Sequence, residues 1–119
     1  MKVNIESYHA HVYFDPEQQA AAASIREQVE AEFEVVMGRW RHEPVGPHPK
    51  SMYQIAFANT EFASLVPWLM LNHDGLDILV HPNTGDNLAD HTERAMWIGA
   101  KLPLNVGVFQ SSASKQGDS

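Results

Sequence analysis

An α+β sandwich in the order β-α-β-β-α-β, followed by a C-terminal extension, is the fold class this chain predicts. Three features predict it. Residues 5–14, 52–58 and 76–81 alternate apolar and polar side chains, the period of a half-buried strand. Residues 16–32 and the stretch after Asn59-Thr60 repeat apolar side chains at helical spacing. Turn-forming residues such as Asn72-His73-Asp74-Gly75 separate the runs.

Composition narrows the function classes. The 119 residues suit one domain, expected over 1–110, with a small polar tail at 111–119 expected to be disordered. A net charge of −7 argues against nucleic acid or an anionic membrane as partner. The absence of cysteine excludes disulfides, thiolate metal sites and cysteine nucleophiles. No apolar run approaches the roughly 20 residues of a membrane span. Met1-Lys2-Val3-Asn4 lacks the apolar core of a signal peptide, so a cytoplasmic location is expected.

The elements follow in order. In the first strand Tyr8, Ala10, Val12 and Phe14 fall on one face, and Ser7, His9, His11 and Tyr13 on the other. Asp15-Pro16 starts a helix over 16–32, through a capping carboxylate and a proline at the first helical position. Ala22, Ile25, Val29 and Phe33 make its apolar stripe. Phe33–Arg41 reads as a second strand, with Gly38 marking a bulge or an end. Residues 43–50, with three prolines and a glycine, form a rigid loop. In the third strand Tyr53, Ile55 and Phe57 face the core, while Gln54 and Ala56 share the histidine face. Thr60 is the expected cap of a second helix buried through Phe62, Leu65, Val66 and Leu69, with Pro67 inside it. The fourth strand, Leu76–His81, turns Ile78 and Val80 to the core. A helix over 87–98 stopped by Gly99, and an extended stretch over 102–109, complete the reading. The order is the split βαβ, or ferredoxin-like, arrangement, with both helices on one sheet face.

That topology makes the first strand central. The fourth strand is expected to run antiparallel to it and the third parallel, so His81 and His48 are both delivered to the half of the first strand that carries His9 and His11. Each histidine has a plainer explanation. His9 and His11 can be exposed side chains on a sheet face, His48 a loop residue between prolines, and His81 a strand-end residue. His42 reads as solvated and His73 as a turn residue. His91 either stabilises its helix or reaches the site from the extension. Taken together, three imidazoles suit a divalent zinc, copper, nickel or iron ion. Two histidines with a carboxylate would suit non-haem Fe(II), but no carboxylate is obvious: Asp15 and Asp77 are candidates and neither is compelling. Ligation needs neutral imidazole, so affinity should fall below about pH 6.5. Tyr13, Trp40, Tyr53, Trp68 and Trp97 could build a pocket; Trp68 and Trp97 serve equally as core or dimer contacts.

The motifs YHAHVYF at Tyr8–Phe14, GPHP at Gly46–Pro49, VPWLMLNH at Val66–His73, HPNTG at His81–Gly85 and DHTERAMWIG at Asp90–Gly99 resemble the DOPA 4,5-dioxygenase family over roughly residues 5–109. The resemblance implies a ferredoxin-like fold, a homodimer, and Fe(II) with O₂ acting on L-DOPA or a related catechol. Zinc or another divalent metal can take the iron's place in a purified sample. Matched residue by residue, His11, His48 and His81 are the implied metal ligands. His9 and His91 are the implied acid/base groups. The implied reaction is extradiol ring cleavage. Its rivals are a different metal enzyme on the same face and a non-catalytic domain that binds metal or an aromatic ligand.

Overall fold

The computed structural model describes residues 2–109. The expected tail at 111–119 lies outside them. Five strands form one antiparallel sheet in the order β2-β3-β1-β4-β5. They are β1 (Ser7–Tyr13), β2 (Val36–Met37), β3 (Met52–Phe57), β4 (Asp77–Asn83) and β5 (Met96–Ile98). Three α-helices accompany them: α1 (Gln19–Glu32), α2 (Phe62–Asn72) and α3 (Asn87–His91). A 3₁₀ turn precedes each of the first two, at Pro16–Gln18 and Asn59–Glu61.

The central place of β1 follows from its alternation. Ala10, Val12 and Phe14 are buried against Ala22, Ile25 and Val29 of α1 and Leu65, Val66 and Leu69 of α2. Tyr53, Ile55 and Phe57 of β3 and Ile78 and Val80 of β4 join the same core. Tyr53 also donates its hydroxyl to the Ala22 carbonyl at 2.7 Å, tying β3 to α1. At the start of the first helix Asp15 and Gln18 form a reciprocal capping box. Both longer helices therefore cover one face. The opposite face carries a smaller cluster, in which Tyr13, Met52 and Leu79 pack with Ala95, Trp97, Leu102 and Leu104.

Five expectations are corrected. First, β3 runs antiparallel to β1, not parallel, with Met52 opposite Tyr13 and Phe57 opposite Tyr8. The crossover through α1 returns β2 parallel to β1, and β3 reverses direction from β2. Second, β2 is only two residues long; the chain leaves the ladder at Gly38 and rejoins it at a bridge between Arg41 and Met52. Third, the helix expected over 87–98 ends at His91, and Met96–Ile98 instead pairs with Ile78–Val80. The open edge of β4 and the β-favouring Trp97-Ile98 pair outweigh helix propensity there. Fourth, Thr60 is not a cap: Ala58 precedes the 3₁₀ turn, and no side chain bonds its free N–H groups. Fifth, the stretch expected to be extended over 102–109 is irregular to Asn105 and closes in a helical turn at 107–109.

No helix among the described residues is long and apolar enough to cross a membrane. Leu65 is fully buried where α2 meets the sheet. Leu65→Ala should therefore cost about 2–5 kcal/mol, read as a lower urea midpoint at unchanged slope.

Candidate metal centre

Five of the seven histidines gather on the face opposite α1 and α2. The ladder sets the first three. His9 lies opposite His81, and His11 lies two residues further along β1 on the same side. Their donor atoms, one from each of His9, His11 and His81, all lie within 4.8 Å of one another. The Nε2 atoms of His11 and His81 are 3.1 Å apart.

His48 reaches the cluster by a different route from the one expected. Because β3 is antiparallel to β1, the loop before it sits beside the end of β1. Phe14 N–H bonds the Ser51 carbonyl there, at 3.1 Å. The loop is held by a Val45–His48 bridge and by the Asn105 N–H on the Pro47 carbonyl at 2.9 Å. His48 lies 4.2 Å from His11, centroid to centroid, and its Nδ1 is 2.7 Å from the Tyr13 hydroxyl.

His91 arrives on α3. Its ring is 3.9 Å from that of His81, with Phe109 4.5 Å away on the extension. The turn that delivers it is organised by Asp90, whose side chain is almost completely buried. That carboxylate accepts from Thr84 N–H at 2.8 Å, the Thr84 hydroxyl at 2.7 Å and Arg94 at 3.2 Å. Asp86 caps α3 through Ala89 N–H at 3.1 Å, and Gly85 supplies a backbone φ of 100°. His42 and His73 stand apart: His42 stacks on Trp40, and His73 Nδ1 bonds the Leu76 carbonyl.

Two of the imidazoles have their tautomers fixed. His81 Nδ1–H donates to the Pro82 carbonyl at 2.9 Å, and His91 Nδ1–H to the Asn87 carbonyl at 2.8 Å. Each then offers an Nε2 lone pair. Tyr13 can do the same for His48. A partner on the second ring nitrogen is the usual support of a metal-bound histidine.

All five rings are held neutral. Burial lowers every one of their pKa values, and proximity to the other imidazoles lowers those of His9, His11, His48 and His81 further. His48 is pushed down to about 4 and His81 to about 3. His11 is depressed strongly, and its Nδ1 is a buried atom with no hydrogen-bond partner among the described residues. Converging neutral imidazoles with an unsatisfied buried nitrogen fit a divalent metal. The carboxylates considered from sequence do not join them. Asp15 pairs with Lys50 at 3.0 Å, and Asp77 accepts from Ala100 N–H at 2.7 Å.

Sequence reasoning missed Asp90 and the part played by Tyr13. Asp90 carried a signal, since an acid one residue before a histidine follows the HPNTG turn closely. Tyr13 was placed on the histidine face by alternation, but its bond to His48 depends on the loop's path. Trp97 lines a cavity of about 460 Å³ with His91, Lys101 and Leu102, and stacks on Tyr13. Trp68 packs on Phe33 in the main core.

Two predictions follow from these environments. His48 and His81 stay neutral in the folded protein until about pH 4 and about pH 3, whereas an unfolded histidine protonates near pH 6.5. Between those values the unfolded chain holds more protons. Stability of the metal-free protein is thus full above about pH 6.5 and falls with acidification, by up to about 1.4 kcal/mol per pH unit for each group. Urea midpoints should hold from pH 7.5 to about pH 6.5 and then fall down to pH 4.5; a profile flat throughout would contradict the buried neutral rings. Asp90→Asn should cost about 3 kcal/mol, because it discharges a buried carboxylate that holds Arg94 and Thr84. Thermal denaturation reads this directly.

Comparison with known proteins bears on the same motifs. The model of the Dopa 4,5-dioxygenase family matches residues 8–108. A protein of Botryotinia fuckeliana, described as an uncharacterized 21.2 kDa protein, is 36% identical in a 116-residue alignment that covers 87% of this chain and 63% of its own length. The DOPA 4,5-dioxygenase of Amanita muscaria is 38% identical in a 111-residue alignment that covers 86% of this chain and 49% of its own length. The chain thus spans only 49–63% of the length of these curated relatives. A crystal structure from Nostoc punctiforme, of a protein provisionally described as a dioxygenase, is 53% identical with a TM-score of 0.90, covering 91% of this chain and 94% of that one. The family match takes in β1, the His48 loop, the end of β4 and α3, and the chain belongs to the Dopa 4,5-dioxygenase family.

Proposed function

We propose that the protein is a non-haem Fe(II)-dependent extradiol dioxygenase that opens the ring of L-DOPA or a related catechol with O₂. The observation that carries this reading is the neutral imidazole cluster, with the Nε2 atoms of His11 and His81 3.1 Å apart. Family membership supports the dioxygenase class.

His11, His48 and His81 are proposed to hold the metal. These three are buried, whereas His9 and His91 are only half-buried and suited to exchange protons with a ligand or solvent. The Tyr13 bond to His48 supports the same division. Donor proximity favours a variant in which His9 replaces His48 beside His11 and His81. When bound, Fe(II) supplies the charge that neutralises catecholate oxygens and the electron chemistry that engages O₂. The chain's own contribution is positional. Pro82 and Asn87 aim the His81 and His91 rings. His9 and His91 accept protons as the catechol ionises and return one as the ring opens. The apolar side chains around Tyr13 and Trp97 exclude water from one side.

The same reading takes residues 1–110 as one ferredoxin-like domain with β5 added at the sheet edge, working as a cytoplasmic homodimer. The strand order and the helices on one face support the fold name. The exposed Val36 on edge strand β2 gives the dimer a surface to test by light scattering.

Anaerobic Fe(II) loading followed by L-DOPA and simpler catechols in air should give O₂ uptake and a yellow semialdehyde. Silence across the panel would remove the assignment. His11→Ala and His81→Ala should abolish metal binding in elemental analysis. His91→Ala should keep the metal and lose about 10²–10⁴-fold in rate. Of His9→Ala and His48→Ala, the one that loses metal identifies the third ligand.

A further inference from the structure

A second cavity, of about 290 Å³, opens on the other side of the cluster. Its lining includes the buried His11 and His48, the half-buried Gly38, Gln54 and Arg41, and the exposed Arg39. We infer that this cavity binds a catechol bearing a carboxylate side arm and no ammonium group, with Arg39 and Arg41 holding the carboxylate while the ring meets His11 and His48. The inference rests on the ring-cleavage reading for the reaction, but the recognition argument is independent of it.

The local backbone explains why two guanidiniums stand there. From the Gly38 N–H bond to the Gln54 carbonyl, 2.8 Å, to the Arg41–Met52 bridge, residues 38–41 face residues 52–54. Four residues opposite three is the count of a bulge. Trp40 keeps to the core face, where it packs on Tyr53 at 5.0 Å. Arg41 lies opposite Met52, which faces the histidine side beside Tyr13. The extra residue brings Arg39 to the same cavity. Gly38 allows the close approach to the neighbouring strand: a Cβ there would lie 3.3 Å from the Gln54 Cβ.

Charge makes the case. The chain carries −7 overall, yet two of its four arginines line this one cavity. Among the described residues no acidic one lines it. Among the described residues neither guanidinium has a carboxylate within 4 Å; the two ion pairs are Lys50–Asp15 and Arg94–Asp90. Two uncompensated guanidiniums with planar donor forks match a carboxylate. An α-ammonium group would find no anion and would be repelled. The volume lies near the lower end of the range for small-molecule sites, about 300–1,000 Å³, which suits one ring with a short arm. Lys101 and Glu93 in the larger cavity beside His91 offer both signs together, so that side lacks the same selectivity.

The test is calorimetric titration of the Fe(II)-loaded protein under argon, so that binding is read without turnover. The probes are 3,4-dihydroxyphenylpropionate, L-DOPA and 4-ethylcatechol. The propionate should bind at least about tenfold more tightly than either of the others, the lower range for charge-assisted bonds at a partly exposed site. Arg41→Gln and Arg39→Gln should each remove most of that preference and leave 4-ethylcatechol affinity unchanged. Arg41→Lys should restore part of it. Equal affinity for the three probes, or variants that weaken all three alike, would overturn the inference. Turnover of catechols without a carboxylate preference would leave ring cleavage standing and remove only this proposal. A carboxylate preference with no turnover would do the reverse.

Discussion

Everything in this molecule depends on the period-two alternation of β1 at the centre of the sheet. One side of the strand is bound into the helix-covered core through Ala10, Val12 and Phe14. That burial fixes register, because a slip of one residue would drive His9, His11 and Tyr13 into the core. The histidines are therefore positioned by hydrophobic packing on the face they do not occupy. The histidine-bearing side need contribute little to its own placement, and it is free to be polar and under-satisfied.

Two neighbours on the ladder then divide the work. β4 brings His81 directly opposite His9, by register alone. The β3 side brings a loop rather than a ladder residue, and His48 depends on Tyr13 and on the Asn105–Pro47 bond for its position. The extension is locked to β4 by Asp90, Thr84 and Arg94, so the approach of His91 to His81 rests on a buried ion pair. Histidines set by register should be less sensitive to surface mutation than those set by loops, since the core must fail before they move.

The parts of the site legible in the sequence are those governed by short-range periodicity. Alternation put His9, His11 and His81 on one face, and the Asp15-Pro16 start gave the first helix. What alternation does not encode is strand direction. His48 reached the right neighbourhood in the sequence reading for the wrong reason, through a parallel β3. The loop instead arrives at the Tyr13 end of β1. The division of 87–98 into a short helix and a strand was equally hidden, because it is decided by the unpaired edge of β4. Asp90 escaped notice because its partners, Thr84 and Arg94, are meaningful only once the turn is closed. The bulge at Gly38–Arg41 was half visible: the glycine marked the spot, but not that two arginines would share a cavity.

The bond from His81 Nδ1 to the Pro82 carbonyl has an effect away from the histidine cluster. β5 pairs with β4 through Ile78, Leu79 and Val80, so among the described residues the last part of β4 has no strand partner on that side. Proline has no N–H to offer a new strand, and the one carbonyl at residue 82 already accepts from His81. The same two residues that aim an imidazole thus deny a template to strand addition, protecting the sheet from edge-to-edge aggregation where its own fifth strand stops short.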